Sequence, residues 1–384
     1  MKTVKLYDED SFIKEFYATV ISCEEFGENY AVLLDKTAFF PEGGGQGSDL
    51  GTLGNANVLD VQIKGDEIYH ITDDSLAVGD TVCGVIDWKR RFDFMQQHSG
   101  EHIVSGIANK LFGCENVGFH LGEEIVTLDF DKPLDKYQLK KLELLSNEVI
   151  FKNLNFYTYY PDEKTLKNLT YRSKKELDGD IRIVEIEDTD ICACCAPHVK
   201  KSGEIGIIKF ISSESLRGGV RIEIKCGTRA LNDILDKYDN IQKISKALCV
   251  KQNETAEAVD RLLAQVSELK FQLTGLKKHI ISEKIEFFNL ASQLSAEFEE
   301  NYDIKEMQLL ADGLYKNYGG IRAVFSKRED GFSFVIRGKE NELEEFFSRF
   351  KVEFSVKGGG RNGMVQGTVF AKQNEIQEFF GEIL

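Results

Sequence analysis

With 384 residues, 42% hydrophobic and 29% charged, the chain has an ordinary globular composition and length for roughly two to four domains. No apolar run approaches the ~18 residues of a membrane helix, and the amino terminus meets charged residues by Asp8, so neither a signal peptide nor a membrane partner is expected. Eight cysteines do not make a disulfide scaffold and suit the cytoplasm, while a net charge of −16 leaves room for nucleic acid only where cations cluster locally.

Residues 1–88 read as a small antiparallel β-barrel. Stretches 16–22 and 30–35 are β-rich, 58–63 alternates and returns through 68–71 as a hairpin, and 82–86 adds a strand. Within this region, Thr37-Ala38-Phe39-Phe40-Pro41-Glu42-Gly43-Gly44-Gly45-Gln46 carries three consecutive glycines. They bury nothing and allow a ligand or another backbone to come close.

Residues 89–229 alternate helices and strands, an α+β pattern. A helix to about residue 112 carries Gln97-His98-Ser99-Gly100-Glu101-His102. Positions i and i+4 share a helix face, so His98 and His102 can aim two imidazoles at one metal. The later loop Cys192-Ala193-Cys194-Cys195-Ala196-Pro197-His198 repeats the offset with Cys194 and His198. Four N/S ligands of this kind suit zinc. Ser99 stands where a His-Glu-x-x-His protease needs its glutamate, and Glu101 projects about 100° away from His102, which excludes that chemistry.

Residues 230–298 read as a coiled coil or helical hairpin. Leu262, Val266, Leu269, Leu273, Leu276 and Ile280 are spaced as an a/d seam. Residues 299–384 form a small α/β unit whose second glycine loop, 357–367, flanks its glycines with Lys357 and Arg361 as a phosphate-binding loop would.

Taken together, the Thr37–Gln46 stretch, His98-x3-His102, Cys194-x3-His198-Val199, Ser202-Gly203-Glu204-Ile205-Gly206 and Leu216-Arg217-Gly218-Gly219-Val220-Arg221-Ile222 resemble the editing domain of alanyl-tRNA synthetase. They resemble still more closely its free-standing relatives, the AlaX alanyl-tRNA editing proteins. The helical stretch and the glycine loop 358–367 are similar to the carboxy-terminal domain of the synthetase. The resemblance is collinear over essentially the whole chain. Because the barrel begins within about fifteen residues of Met1, no aminoacylation domain is expected before it, and the long form of AlaX is the expected relative. Two departures stand out: the metal loop reads Cys194-Cys195-Ala196-Pro197-His198 where the family usually has Cys-x-Gly-Thr-His, and the terminal loop has fewer glycines. Pro197 fixes φ and removes an N–H that could have met substrate.

The resemblance implies ester hydrolysis that frees serine or glycine from the terminal ribose of mischarged tRNA-Ala, with Zn2+ as cofactor at His98, His102, Cys194 and His198. It implies a pocket formed by Thr37, Gln46 and the Gly43, Gly44 and Gly45 backbone, with His120 beside it and Thr37 reading the serine hydroxyl. Lys89-Arg90-Arg91, Arg172 to Lys175, Lys200-Lys201 and Lys357 to Arg361 are the cations offered to tRNA, and dimers associated with the family's terminal domain imply a homodimer through 230–298. The expected architecture is α+β and multidomain: barrel 1–88, zinc-containing editing domain 89–229, helical region 230–298 and α/β tRNA-binding domain 299–384. The alternative is a non-catalytic tRNA-binding protein, since four protein ligands also describe a closed structural zinc.

Overall fold

The computed structural model describes residues 2–173, 181–289 and 294–382. The chain forms two compact units, 1–243 and 244–384. No described helix is long and apolar enough to cross a membrane.

In the first unit, six strands close a barrel in the order Glu15–Phe26, Asn29–Leu34, Glu67–Thr72, Ala56–Lys64, Gly51–Leu53 and Thr81–Ile86. Inward positions supply Val20, Val32, Leu34, Leu53, Val58, Val61 and Ile68, which pack around Phe39 and Phe40. One polar pair lies inside this core. Thr37 Oγ1 is 2.8 Å from His70 Nε2, and His70 Nδ1 is 3.1 Å from the Val32 carbonyl. A carbonyl only accepts, so Nδ1 carries the hydrogen of the neutral ring and Nε2 takes the Thr37 hydroxyl hydrogen. Thr37 in turn accepts the Phe39 N–H at 3.1 Å.

Burial pushes His70 down from 6.5 to about 4, so the folded state holds it neutral where the unfolded chain would take up a proton. This contribution to stability is present above the unfolded value and is lost as pH falls from ~6.5 toward ~4, about 3 kcal/mol in all. The denaturation midpoint should therefore fall between pH 7 and pH 5 more steeply in the wild type than in His70→Gln. Equal slopes would clear His70 of the effect.

The rest of the first unit is built on the helix Trp88–Phe112, which begins at an Asp87 N-cap and ends at left-handed Gly113. Residues from Phe94 to Ala108 are buried on every side. The helix packs on a sheet ordered Ile208–Leu216, Gly219–Cys226, Val126–Phe130, Asn116–Leu121, and beside a three-stranded sheet of Phe156–Tyr159, Ile183–Ile186 and Asp190–Ala193. Buried polar groups on such a helix need partners. Gln97 supplies two, accepting the Cys226 N–H and donating to the Cys226 carbonyl. Glu101 accepts from Ser105 and Asn116, and its Oε2 stands 3.9 Å from His102 Nε2.

In the second unit, a five-stranded sheet runs Leu294–Glu299, Ile321–Arg328, Gly331–Arg337, Met364–Phe370, Ser355–Arg361. Its central strands are covered on both faces. Val324 and Val335 meet the helix Ile304–Tyr318 and Ile281 of the helix Thr255–Glu286, while Phe325, Phe334 and Ile336 meet Phe346, Phe350, Phe379 and Phe380. The expected glycine loop 357–367 is instead a β-hairpin: Ser355–Arg361 and Met364–Phe370 pair, and Asn362 and Gly363 take φ of 59° and 70° at its tip. Asn-Gly with both residues left-handed makes the tight turn that strand twist favours. Gly358 and Gly360 lie flat against the partner strand, where a Cβ would meet backbone oxygen at 2.3 and 2.0 Å.

Candidate metal centre

The helix Trp88–Phe112 and the loop after the strand Asp190–Ala193 bring His98, His102, Cys194 and His198 together, with one ligand atom from each within 4.8 Å of the others. Cys194 Sγ lies 3.5 Å from His98 Nε2 and 3.4 Å from His198 Nε2. Of the three thiols in the loop, Cys194 turns toward the histidines, whereas Cys195 is exposed.

Each imidazole is held by its other nitrogen, the arrangement that fixes ring orientation in metal sites. His98 Nδ1 meets Gln46 Oε1 at 2.9 Å, His102 Nδ1 meets Asp190 Oδ2 at 2.9 Å, and His198 Nδ1 meets Ser99 Oγ at 3.1 Å. Ser99 also accepts the Val199 N–H at 3.2 Å, tying helix to loop. Arg172 grips both oxygens of Asp190 at 2.7 Å. Two close approaches make this possible. A Cβ on Gly100 would stand 2.3 Å from Cys226 Sγ, and one on Gly106 would stand 2.5 Å from the Thr189 carbonyl, next to Asp190.

The electrostatics follow from burial and pairing. Burial alone would raise the Cys194 thiol, but the His98 and His198 imidazoles beside it hold it well below its ordinary value. Burial pushes His198 down to about 3. Burial lowers His102 too, yet its bond to Asp190 prevails and raises it to about 9. Cys192 is the reverse of Cys194, because burial drives its thiol far up. His102, Asp190 and Cys192 also cluster. Asp190 is committed to Arg172 and His102, and Cys192 keeps its proton, so this trio supports the first site and is not a second one.

The glycine stretch builds a rigid turn. Gly44 and Gly45 take φ of +63° and +86°. The turn is closed by Gly43 N–H to Gln46 O at 3.0 Å and by Gln46 N–H to Gly43 O at 3.1 Å. Gly45 docks on the strand Asn116–Leu121: its carbonyl accepts the Leu121 N–H, and a Cβ there would meet Phe119 at 2.9 Å. Phe119 in turn packs on His98 with centroids 4.8 Å apart. Gln46 is thereby aimed at His98, and its buried Nε2 has no hydrogen-bond partner among the described residues.

Other expected site residues fall differently. Thr37 is fully buried and engaged with His70. His120 is exposed, one residue after Phe119 and so on the opposite face of the strand. Arg90 donates to the Ser48 carbonyl and lies over Phe94. Arg91 corrects the sequence reading. It is fully buried, bound to Asp49 through two nitrogens and to the Ala38 and Ser11 carbonyls, so no donor face is left for a phosphate. Lys200 is exposed and paired with Asp10 at 2.9 Å. Lys357 and Arg361 are exposed on the terminal hairpin, and Lys174 and Lys175 lie outside the described residues. Asp190 and Arg182 were missed by sequence reasoning. Arg182 donates to the Cys194 and Ala196 carbonyls at 3.0 Å and so clamps the metal loop.

Residues 181–223, which contain Cys194 and His198, match the threonyl and alanyl tRNA synthetase second additional domain. Residues 3–90, which contain the barrel and the glycine turn, match class II (A) tRNA synthetases. The alanyl-tRNA editing protein AlaX-L of Pyrococcus horikoshii is 30% identical, covering 97% of this chain and 96% of its own. The chain belongs to the alanyl-tRNA editing protein family. Another editing protein, Aarsd1 of Danio rerio, is 27% identical over 97% of this chain and 96% of its own. An alanine–tRNA ligase of Ignicoccus hospitalis is 32% identical over 81% of this chain, which spans only 35% of the ligase. In this editing-protein chain the glycine turn and the Cys/His loop lie within these two matches, and the helix segment with His98 and His102 lies between them.

Proposed function

We propose that this chain is a zinc-dependent trans-editing hydrolase that cleaves the ester joining serine or glycine to the terminal ribose of tRNA-Ala. The observation that carries this reading is the convergence of three imidazole nitrogens and one thiolate sulfur, with every outward-facing ring nitrogen engaged. Zinc bonds of ~2.0–2.1 Å to nitrogen and ~2.3 Å to sulfur at the tetrahedral angle separate nitrogen from sulfur by about 3.5 Å. The Cys194 contacts of 3.5 and 3.4 Å fit that separation.

Zinc held by His98, His102, Cys194 and His198 would supply Lewis acidity toward the ester carbonyl. The chain's own groups do the rest. Gln46 Oε1 fixes His98, which leaves Nε2, the buried amide without a partner, as a donor for the oxygen that gains charge as the ester is attacked. The rigid turn at Gly43, Gly44 and Gly45 brings backbone near the site without side chains in the way. Thr37 has given its hydrogen to His70 and accepted one from Phe39, so a single lone pair remains for the serine hydroxyl, a group that alanine lacks. Asp190 and Ser99 orient His102 and His198. Lys89, Lys200, Lys201, Lys357 and Arg361 are exposed cations available to meet tRNA, the last two in the terminal unit. The cytoplasm is where such a substrate is found.

The deciding experiment loads the full chain with zinc and times deacylation of Ser-, Gly- and Ala-tRNA-Ala. Serine should be released about 10²-fold or more faster than alanine, because a site built to bond a hydroxyl discriminates strongly, and glycine, which has no hydroxyl, is compared in the same assay. A folded, metal-loaded chain that binds tRNA and releases nothing would favour the non-catalytic alternative.

We also infer a homodimer. Leu262, Val266, Leu269, Leu273, Leu276 and Ile280 are between 40% and 63% exposed along one stripe of the helix Thr255–Glu286. Covering each large side chain is worth ~1.5–3 kcal/mol, and a two-fold pair lets an a/d stripe pack on itself. Sedimentation should show a dimer, and glutamate at both Leu269 and Leu273 should release monomers that keep their metal. A wild-type monomer at tens of micromolar would remove the dimer.

A further inference from the structure

The chain's single tryptophan, Trp88, opens the helix that carries His98 and His102. It stacks on Phe92, with centroids 5.7 Å apart and planes at 29°. Phe12 packs against both rings at 5.4 and 6.2 Å. All three are only partly buried. Lysines gather on this cluster. Lys14 Nζ stands 4.5 Å from the Trp88 centroid, Lys200 Nζ stands 4.9 Å from that of Phe12, and Lys89 lines a cleft of about 460 Å³ with Trp88 and Phe92. Lys14 and Lys89 are exposed and have no ion pair among the described residues.

This cluster is joined to the metal centre. Ser11, next to Phe12, donates to the His198 carbonyl at 2.7 Å, and Lys200 lies two residues beyond His198. Trp88 precedes His98 by ten residues of one helix, about 15 Å at ~1.5 Å per residue. Stacked nucleotides rise ~3.4 Å each, so about four of them span that distance.

Resting on the editing reading above, in which the reacting ester sits on the last ribose of an RNA end, we propose that Phe12, Trp88 and Phe92 with Lys14, Lys89 and Lys200 form a stacking platform for the unpaired nucleotides leading into the metal centre. Aromatic faces accept any base, and nearby cations follow the phosphates. A base entering over Trp88 takes the place of the Lys14 ammonium, which is free to move to a phosphate. Lys200 is paired with Asp10 at 2.9 Å, so Lys14 and Lys89 are the cations of this cluster with no ion pair among the described residues.

Because Trp88 is the only tryptophan, its emission reports occupancy directly. The full chain, loaded with zinc, is titrated with an uncharged RNA hairpin bearing a single-stranded 3′ tail of about four nucleotides, and with the same duplex made blunt. The tailed RNA should quench Trp88 saturably and bind about tenfold or more tighter than the blunt one. Lys14→Glu combined with Lys89→Glu should weaken the tailed RNA about tenfold or more and flatten its salt dependence, with metal content and circular dichroism as in the wild type. Tailed RNA that binds with unchanged Trp88 emission, or tailed and blunt RNA that bind alike, overturns the platform. So does absence of binding at about 100 μM, where even non-specific phosphate contacts register. Quenching by a chain that hydrolyses no aminoacyl-tRNA would keep the platform and remove the editing reading, so the two fail separately.

Discussion

Cys194→Ala is expected to strip the metal from the folded chain and to take ester hydrolysis with it. The thiolate is the one anionic donor of the set, and it touches both His98 and His198. Without it, three imidazoles remain and no anionic donor. The loss of metal affinity should exceed the ~10–100-fold that removing an outer partner produces, and Asp190→Asn supplies that comparison in the same protein. The asparagine keeps the shape beside His102 but leaves the Arg172 guanidinium without its buried countercharge. Metal content, circular dichroism and Ser-tRNA-Ala deacylation are measured together on wild type and both variants. The expected order is wild type, Asp190→Asn, Cys194→Ala in both metal and rate, with similar secondary structure. A Cys194→Ala protein that retains stoichiometric metal and full rate would dismantle the site as described.

Arg91→Leu should cost about 3–5 kcal/mol of unfolding free energy, because it leaves the Asp49 carboxylate buried and alone. Arg91 and Asp49 are 0% and 1% exposed, and the same guanidinium also holds the Ala38 and Ser11 carbonyls. It therefore fastens the start of the helix Trp88–Phe112 to the barrel. The double variant Arg91→Leu with Asp49→Leu should recover part of the loss, since an apolar pair can replace a buried ion pair. Lys89→Ala, two residues earlier and exposed, should change stability by less than ~0.5 kcal/mol. Denaturant titration separates these cases, and an Arg91→Leu cost below ~1 kcal/mol would restore Arg91 to the surface cations.

The convergence of His98, His102, Cys194 and His198 was legible because the helical period alone puts His98 over His102, and the loop repeats the same offset. Asp190 was not, because an acid at the start of a strand carries no mark of the histidine 88 residues away that it will orient. Arg91 was hidden by its neighbours: in Lys89-Arg90-Arg91 the three cations look alike, and only the packed fold separates the exposed, the half-used and the buried one. The terminal hairpin was legible and misread. Its glycines suggested a loop, yet Asn362-Gly363 is the two-residue turn signal that outranks them. His120 shows the opposite limit, since the strand's alternation gives Phe119 to the site and turns His120 outward, and the sequence does not say which of the two parities holds.

Gly100 and Gly106 make the helix that bears His98 and His102 a poor target for routine stabilisation. Replacing a mid-helix glycine with alanine ordinarily improves a helix by roughly 0.5–1 kcal/mol, and a designer working from helix propensity would choose both positions first. Here the missing methyl groups are the clearance through which Cys226, Thr189 and Asp190 reach the helix. Either change would therefore raise local propensity while pushing the helix off its neighbours, Gly100→Ala from Cys226 and Gly106→Ala from the Asp190 that aims His102. An engineered variant could come out helical and unfit for its chemistry, with no residue altered that touches the metal, and selection for thermal stability alone would not detect the damage.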